Sequence, residues 1–487
     1  MGANVAVTVL VLGLVGVACA PGFDMVRTDP SLYPAFQMSV TDYVNRCDPN
    51  NPTDVSVSTP DGWTVSVDGG PAQTGNFQTQ IDQQVNEAFT IVVNDGTATT
   101  SHYVRCLPLD FPEWEATREG TTQAEFYATV VIEGFNPNIP VIFDTNGVPV
   151  WWTERVGTFS NEPLPNGNLA NLRYGGELIE RQLDGTRVPA PQTQGANGDF
   201  HDVEIMPNGN YVMATFDVRD CDLRPWGEGQ GRCAHHTFQE LTPGGQLVWS
   251  WAAEEDIPLS ETPVKWRSER DPQFGYVDPW HYNSVEWDGT GFIISLRHMD
   301  AIYKVDYQTK NIVWKLGGQN RPESLRFVGD PIGSFSGQHD ARWLGDGVVS
   351  LFDNQSRTGR PRSVAYRIDT QQRTATLVSQ ITDSVAPVSG CCGSTRVMPG
   401  GNQVTGWGGG PWFTENQPNG QQVFRLDANF LYRAIPITDG RYTREELRAG
   451  MDAQYDDGVF APDGPATAAA ESPLDFDLGF RLGLQED

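Results

Sequence analysis

Near the N-terminus apolar and polar residues alternate over short runs: Asp54-Val55-Ser56-Val57-Ser58, Thr64-Val65-Ser66-Val67, Phe89-Thr90-Ile91-Val92-Val93 and His102-Tyr103-Val104-Arg105. A period of two, rich in β-branched residues, predicts strands with one buried face. Asp61-Gly62, Asp68-Gly69-Gly70 and Asn94-Asp95-Gly96 mark turns between them. Residues 36–107 are therefore expected to form a small β-sandwich. The Pro-containing stretch after Cys106 reads as a linker over residues 108–122.

From about residue 120 the pattern repeats itself. Leu164-Pro165-Asn166-Gly167-Asn168, His201 through Asn210, His281 through Gly289, His339 through Gly347 and Gly393 through Asn402 each read as a short strand, a glycine turn and a second strand. A further hairpin pattern recurs at 238–249, 302–315, 364–377 and 423–435, and residues 141–152 supply one with no preceding partner. Four strands per unit, at a spacing of ~45 to 80 residues, predict an all-β fold whose main body, residues 123–438, is a β-propeller of about six blades. The orphan hairpin predicts ring closure between the ends of that body. Residues 439–487 are expected to hold a short helix at 443–451 and then an acidic, Pro/Ala-rich tail too poor in apolar residues to build a core.

Composition agrees with strands and tight turns: 51 Gly, 34 Pro and 14 Trp in 487 residues. The formal charge of −29, from 62 acidic and 33 basic residues, argues against nucleic-acid and anionic-membrane partners. An anionic substrate would need a locally basic pocket. An apolar run at 5–17 followed by small residues and Cys19-Ala20 reads as an export leader over residues 1–20, either cleaved after Ala20 or lipidated at Cys19. Both options place the mature protein outside the cytoplasm, with no further membrane span. In an oxidising compartment Cys47 and Cys106 are expected to staple the N-terminal domain and Cys221 and Cys233 to close a loop. The neighbours Cys391 and Cys392 form a vicinal disulfide or stay reduced. No cysteines have metal-ligand spacing, and no metal or cofactor is expected.

Three of the seven histidines share one register: His201, His281 and His339 each stand eight residues before a turn glycine, Gly209, Gly289 or Gly347. Rotation about a propeller axis brings such matched positions to one mouth of the channel, which predicts a shared site rather than three separate packing roles. Phe159 and Gly393 occupy the same register in other repeats. Asp202 and Asp340 point away from their histidines in a strand and are expected to serve the scaffold. Asn283, two residues past His281, is a candidate pocket donor. Arg297, beside His298 at the end of the Ile293-Ile294-Ser295-Leu296 run, offers a planar charged fork for an anion.

Trp280-His281-Tyr282-Asn283-Ser284, Ser295-Leu296-Arg297-His298, Trp314-Lys315-Leu316-Gly317-Gly318, and Gln338-His339-Asp340-Ala341 with Phe352-Asp353-Asn354 together resemble the bacterial arylsulfate sulfotransferases. The likeness spans roughly residues 120–435. It implies a six-bladed propeller in which the histidine matching His339 is transiently sulfated and His201, His281, Asn283 and Arg297 match supporting residues. It also implies a ping-pong reaction from an aryl sulfate donor to a phenolic acceptor, without a nucleotide donor. The family's hydroxyl-bearing pocket residue falls at Ser394 or Thr395, and Phe159 is the candidate contact for the aryl ring. Two other outcomes stay open on the residues: a hydrolase passing the group to water, and a non-enzymatic surface propeller that binds a ligand or partner.

Overall fold

The computed structural model describes residues 25–132, 138–271, 273–356, 359–386, 388–408 and 410–456. The expected leader and most of the acidic tail lie outside them. The chain divides into two compact units, residues 1–84 with 89–104, and residues 85–88 with 105–487.

In the first unit one sheet joins Val26–Asp29, Thr53–Ser58 and Asn76–Ile81 in that order, and a second joins Asp42–Asn45, Thr99–Cys106, Ala88–Asn94 and Thr64–Val67. Burial alternates along Thr53–Ser58, Thr64–Val67 and Ala88–Asn94, as the period of two requires. Val55, Val57, Val65, Phe89, Ile91, Val93 and Val104 fill the space between. Val26–Asp29, ahead of the expected boundary at 36, is the edge strand on Thr53–Ser58. Only Val26 of its four residues is buried, which is too little pattern to be read as a strand.

The second unit is a propeller-like succession of antiparallel sheets. Among the described residues there are six built on four antiparallel strands, which follow one another in sequence except at the chain ends and at a hairpin inserted in the third; Arg326–Val328 adds to the fifth in parallel. The first sheet holds Phe126–Val131, Ile139–Asp144 and Pro149–Trp152, and its remaining strand, Ala434–Ile437, comes from the far end of the chain. The orphan hairpin thus finds its partner there. Consequently residues 423–435 are not one hairpin: Gln422–Ala428 ends the sixth sheet and Ala434–Ile437 belongs to the first. The expected linker contains a strand as well, Trp114–Arg118, paired with Gln422–Ala428. The third sheet carries an inserted hairpin, Asp217–Asp222 with Gln230–His235, closed by the Cys221–Cys233 disulfide.

Several strands of this unit do not alternate. Phe126–Val131, Ile139–Asp144 and Gly291–Leu296 are buried at every residue, because each sheet is covered on both faces. Ile294 packs with Phe238 and Trp251 of the third sheet, whereas its neighbour Ile293 packs with Leu351 and Val364 of the fifth. Each such side chain contributes roughly 1.5–3 kcal/mol on burial. The tail helix runs Arg444–Asp456, longer than expected, and a reciprocal pair of bonds starts it. Glu446 accepts from Thr443 N–H at 2.8 Å, and Thr443 Oγ accepts from Glu446 N–H at 3.1 Å.

Candidate active site

The first strands of successive sheets are tied together by short polar side chains. Val285 N–H donates to Asp202 (2.9 Å), Ala341 N–H to Ser284 Oγ (2.9 Å), Thr395 N–H to Asp340 (2.9 Å) and Ala434 N–H to Ser394 Oγ (3.1 Å). Arginines cross between the same strands: Arg342 pairs with Asp202 and Asp340, Arg396 with Asp340, and Arg433 with Asp202. Asp202 and Asp340 are therefore spent on the scaffold, with the guanidinium groups offsetting the cost of burying them.

On this frame the three matched histidines come together. His201 and His281 have ring centres 5.2 Å apart, and Tyr432 lies 6.2 Å from both His201 and His339. His298 joins them, 4.4 Å from His281. Each ring is oriented through Nδ1, but not by the same kind of partner. His201 Nδ1 donates to Asp199 (2.7 Å) and His281 Nδ1 to Asp278 (2.9 Å). The same carboxylates accept the histidines' own backbone N–H groups, and the Asp278 bond holds His281 at φ +37°, a left-handed conformation that is unusual for a residue with a Cβ. His339 Nδ1 has no carboxylate; it meets the Gly337 carbonyl (2.9 Å) and Asn354 Oδ1 (2.8 Å).

A carbonyl only accepts, so His339 carries its proton on Nδ1 and keeps a lone pair on Nε2. Nε2 in turn accepts the Cys392 N–H at 3.1 Å. Burial first, and then the charge of Arg297, hold His339 well below its ordinary value, so the ring is neutral. Burial and the neighbouring His298 bring His281 down to about 3, and burial and Arg297 do the same to His298. Burial alone would raise Asp278, but His236 and His281 hold it well below the carboxylate range. His236 is the hub behind the pocket, bonded to Asp278 at 3.0 Å and 3.6 Å from Asp199.

Arg297 is buried, with the Glu269 carboxylate 3.7 Å from its guanidinium. Its guanidinium donates to His298 Nε2 and to the Gly390 carbonyl (2.6 Å), and it stacks 4.6 Å above the Trp266 ring, while its Nε makes no hydrogen bond among the described residues. Burial lowers it to about 10, which leaves it charged at neutral pH. Phe200 stacks on His201 at 4.2 Å, and Phe159 stacks on Tyr432 at 5.5 Å with Tyr174 at 4.7 Å and Phe430 at 6.5 Å. The result is a neutral imidazole, a buried cation and an aromatic wall in one place. Among the described residues no group of three or more His, Cys, Asp or Glu is placed to hold a metal ion. A separate cavity of about 470 Å³ lies among the turns at the other end of these strands, lined by Asn208, Trp287, Gly289 and Tyr307.

Residues 170–430, more than half of the chain, match the arylsulfotransferase (ASST) family. The chain belongs to that family. Membership supports aryl sulfotransfer, from an aryl sulfate donor to a phenol acceptor, at the level of the family. No curated protein sequence matches significantly. Among solved structures the chain is similar to a protein of unknown function from Bacteroides caccae, at 12% identity and a TM-score of 0.39, over 65% of this chain and 100% of that one. It is also similar to virginiamycin B lyase from Staphylococcus aureus, at 9% identity and a TM-score of 0.34, over 68% and 90%. A putative 6-phosphogluconolactonase from Bacteroides fragilis aligns at 10% identity and a TM-score of 0.35, over 80% and 99%. At these scores the likenesses carry no argument about the chemistry of this chain.

The remaining expected site residues are placed as follows. Asn283 is buried, and its amide donates to the Gln338 carbonyl at 2.7 Å, tying the fourth sheet to the residue before His339. Counting alternate residues from His281 does not give its direction, because the strand begins at Tyr282 and bulges between Tyr282 and Ser284. Of the two hydroxyl candidates, Ser394 is used in bonding Ala434, whereas the buried Thr395 hydroxyl makes no hydrogen bond among the described residues. Several parts of this candidate site escaped sequence reasoning: Tyr432, whose buried hydroxyl makes no hydrogen bond among the described residues, and Asp199, Asp278, His236, Asn354 and Trp266. A usable signal existed for the aspartates, in Asp199-Phe200-His201 and Asp278-Pro279-Trp280-His281, and for Asn354, in the Phe352-Asp353-Asn354 run.

Proposed function

We propose that this protein is an exported arylsulfate sulfotransferase that works through a covalent sulfohistidine on Nε2 of His339. The six sheets are read as the blades of one propeller, closed by Ala434–Ile437 and Trp114–Arg118. The observation that carries the chemistry is the state of His339: neutral, with Nδ1–H committed to Gly337 and Asn354, and with Nε2 left as the lone pair. Oxidised cysteines, Cys221–Cys233 and Cys391–Cys392 with Cys47 and Cys106 also disulfide-bonded, support export, as does the expected leader.

In the first half-reaction the Nε2 lone pair attacks the sulfur of an aryl sulfate, the sulfur–oxygen bond to the ring breaks, and the phenolate departs. Arg297 supplies fixed positive charge beside the sulfuryl oxygens, and Phe159 and Tyr432 face the aryl ring. His281 is neutral at rest; an anionic ester beside it favours its protonated form, with Asp278 as counter-charge, and its Nε2–H then neutralises the leaving phenolate. In the second half-reaction neutral His281 takes the proton of the acceptor phenol as the phenol oxygen attacks sulfur, and the electron pair of the sulfur–nitrogen bond returns to His339. His201, with Nδ1–H on Asp199, donates to a sulfuryl oxygen through Nε2 only as the imidazolium, for which Asp199 is the counter-charge.

Incubation with 4-nitrophenyl sulfate, followed by intact-mass and peptide mapping, tests this reading. One sulfuryl group on His339, lost on addition of phenol with formation of phenyl sulfate, is expected. Equal transfer by wild type and His339→Ala, or release of inorganic sulfate at the same rate with and without phenol, would overturn it, the latter in favour of a hydrolase. If alanine at His201, His281 and His339 lowered only the melting temperature, the site would be a packing or binding feature.

A further inference from the structure

Cys391 and Cys392 are joined to each other, although they are neighbours in sequence. That disulfide closes a small ring which contains the peptide bond between them. The N–H of this same peptide is the group that donates to His339 Nε2 at 3.1 Å. Around it the segment is held from several sides. Asn354 Nδ2 donates to the Cys392 carbonyl (2.9 Å) and to Ser389 Oγ (2.8 Å), and Ser389 Oγ donates to the Cys391 carbonyl (2.9 Å). Arg297 donates to the Gly390 carbonyl at 2.6 Å. One asparagine thus fixes both the imidazole, through Oδ1, and the peptide aimed at it, through Nδ2.

We propose that the Cys392 backbone amide is a catalytic donor of this site, aimed by the vicinal disulfide, and that its N–H passes from the His339 lone pair to a sulfuryl oxygen as the nitrogen–sulfur bond forms. This rests on the sulfohistidine reading. The lone pair cannot bind sulfur and keep its hydrogen bond, and a buried N–H left without a partner is costly. The sulfuryl oxygens arrive next to that nitrogen with the negative charge such a donor stabilises. Reduction by a dithiol adds two electrons and two protons to the pair, leaves two thiols, converts the dithiol into its own disulfide, and frees the peptide from the ring. Loading of His339 is then fast only while the pair is oxidised.

The test compares oxidised, dithiol-reduced and re-oxidised wild type with the double variant Cys391→Ser/Cys392→Ser, with and without dithiol. The readouts are the single-turnover rate of sulfuryl loading from 4-nitrophenyl sulfate and the imidazole nitrogen resonances of His339 without substrate. Loading is expected to fall about 10²-fold in reduced wild type and in the variant. Re-oxidation should restore wild type, the variant should be indifferent to dithiol, and the Nε2 resonance should move on reduction. Equal loading by the variant and oxidised wild type, with the group still on His339, overturns this inference and leaves the transfer reading intact. A variant slowed by dithiol as much as wild type overturns it too, since the effect then belongs to another disulfide. Oxidised wild type that never carries a sulfuryl group on His339 removes the transfer reading itself, and this inference with it.

Discussion

The two sides of the pocket are built from the same residue type in the same register, yet they are wired differently. On one side Asp199 and Asp278 stand behind His201 and His281. On the other, an amide and a carbonyl stand behind His339, and a disulfide-bonded peptide stands in front of it. A carboxylate behind an imidazole stabilises the imidazolium, so that side suits a group which gains and loses a proton. A neutral acceptor gives no such help, and buried beside Arg297 the ring stays neutral, as the nucleophile of the proposed reaction must be. The role of each histidine is therefore set by what touches its Nδ1.

The largest expected effect separates the two sides outright. His339→Ala should cost about 10⁴-fold or more in kcat/KM, because the covalent route is gone, whereas His201→Ala should cost about 10²-fold. Steady-state kinetics on both variants would show it, and equal losses would erase the distinction. Next, Asp278→Asn keeps the shape behind His281 but removes the charge and its hold on the tautomer, for an expected loss of about 10²- to 10³-fold in kcat. The third change makes one side resemble the other. Asn354→Asp puts a carboxylate behind His339, raises its affinity for a proton, and should move the acid limb of kcat/KM upward by about one pH unit or more. An unmoved limb would mean that the Nδ1 partner does not control the nucleophile.

Stability carries the same signature. His281 and His298 are held at about 3, against an ordinary value of 6.5. Between those values the unfolded chain binds more protons than the folded one. Their contribution is fully present above about pH 6.5 and is lost as pH falls towards 3. Asp278 and Asp340, held low by His236 and by the Arg396 and Arg342 guanidinium groups against the cost of burial, add losses at still lower pH. His236, raised chiefly by Asp278 against burial, works in the opposite sense and loses its share as pH rises. Urea unfolding between pH 7 and 4 should show a falling midpoint, with His298→Asn shallower by up to one proton, about 1.4 kcal/mol per pH unit. The smallest effect is expected at the aromatic wall: Phe159→Leu should raise KM for an aryl sulfate by about 3- to 10-fold with kcat little changed.

Legibility in the sequence followed burial. Thr53–Ser58 and Thr64–Val67 have one face in the core, so their alternation could be read directly. Phe126–Val131 and Gly291–Leu296 are buried on both faces and carry no period; they were reached through repetition of their turns. Trp114–Arg118, mostly exposed at an edge, has neither signal and reads as a linker in the sequence. In the site, repetition placed His201, His281 and His339 at equivalent positions. It was silent on Tyr432 and Asn354, which do not repeat.

What the sequence determined by itself was the strand-and-turn grammar, the matched register of three histidines and the family. Those are properties of spacing, and spacing survives in one dimension. Only the tertiary structure decided that Asp278 lies behind His281 and Asn354 behind His339, and that a peptide ringed by Cys391 and Cys392 faces Nε2 of His339. Fifteen residues separate His339 from Asn354 and fifty-three separate it from Cys392, and only the packing of strands and loops brings them to hydrogen-bond distance. Protonation state, tautomer and nucleophilicity depend on such contacts, and they are where the three equivalent histidines become unequal.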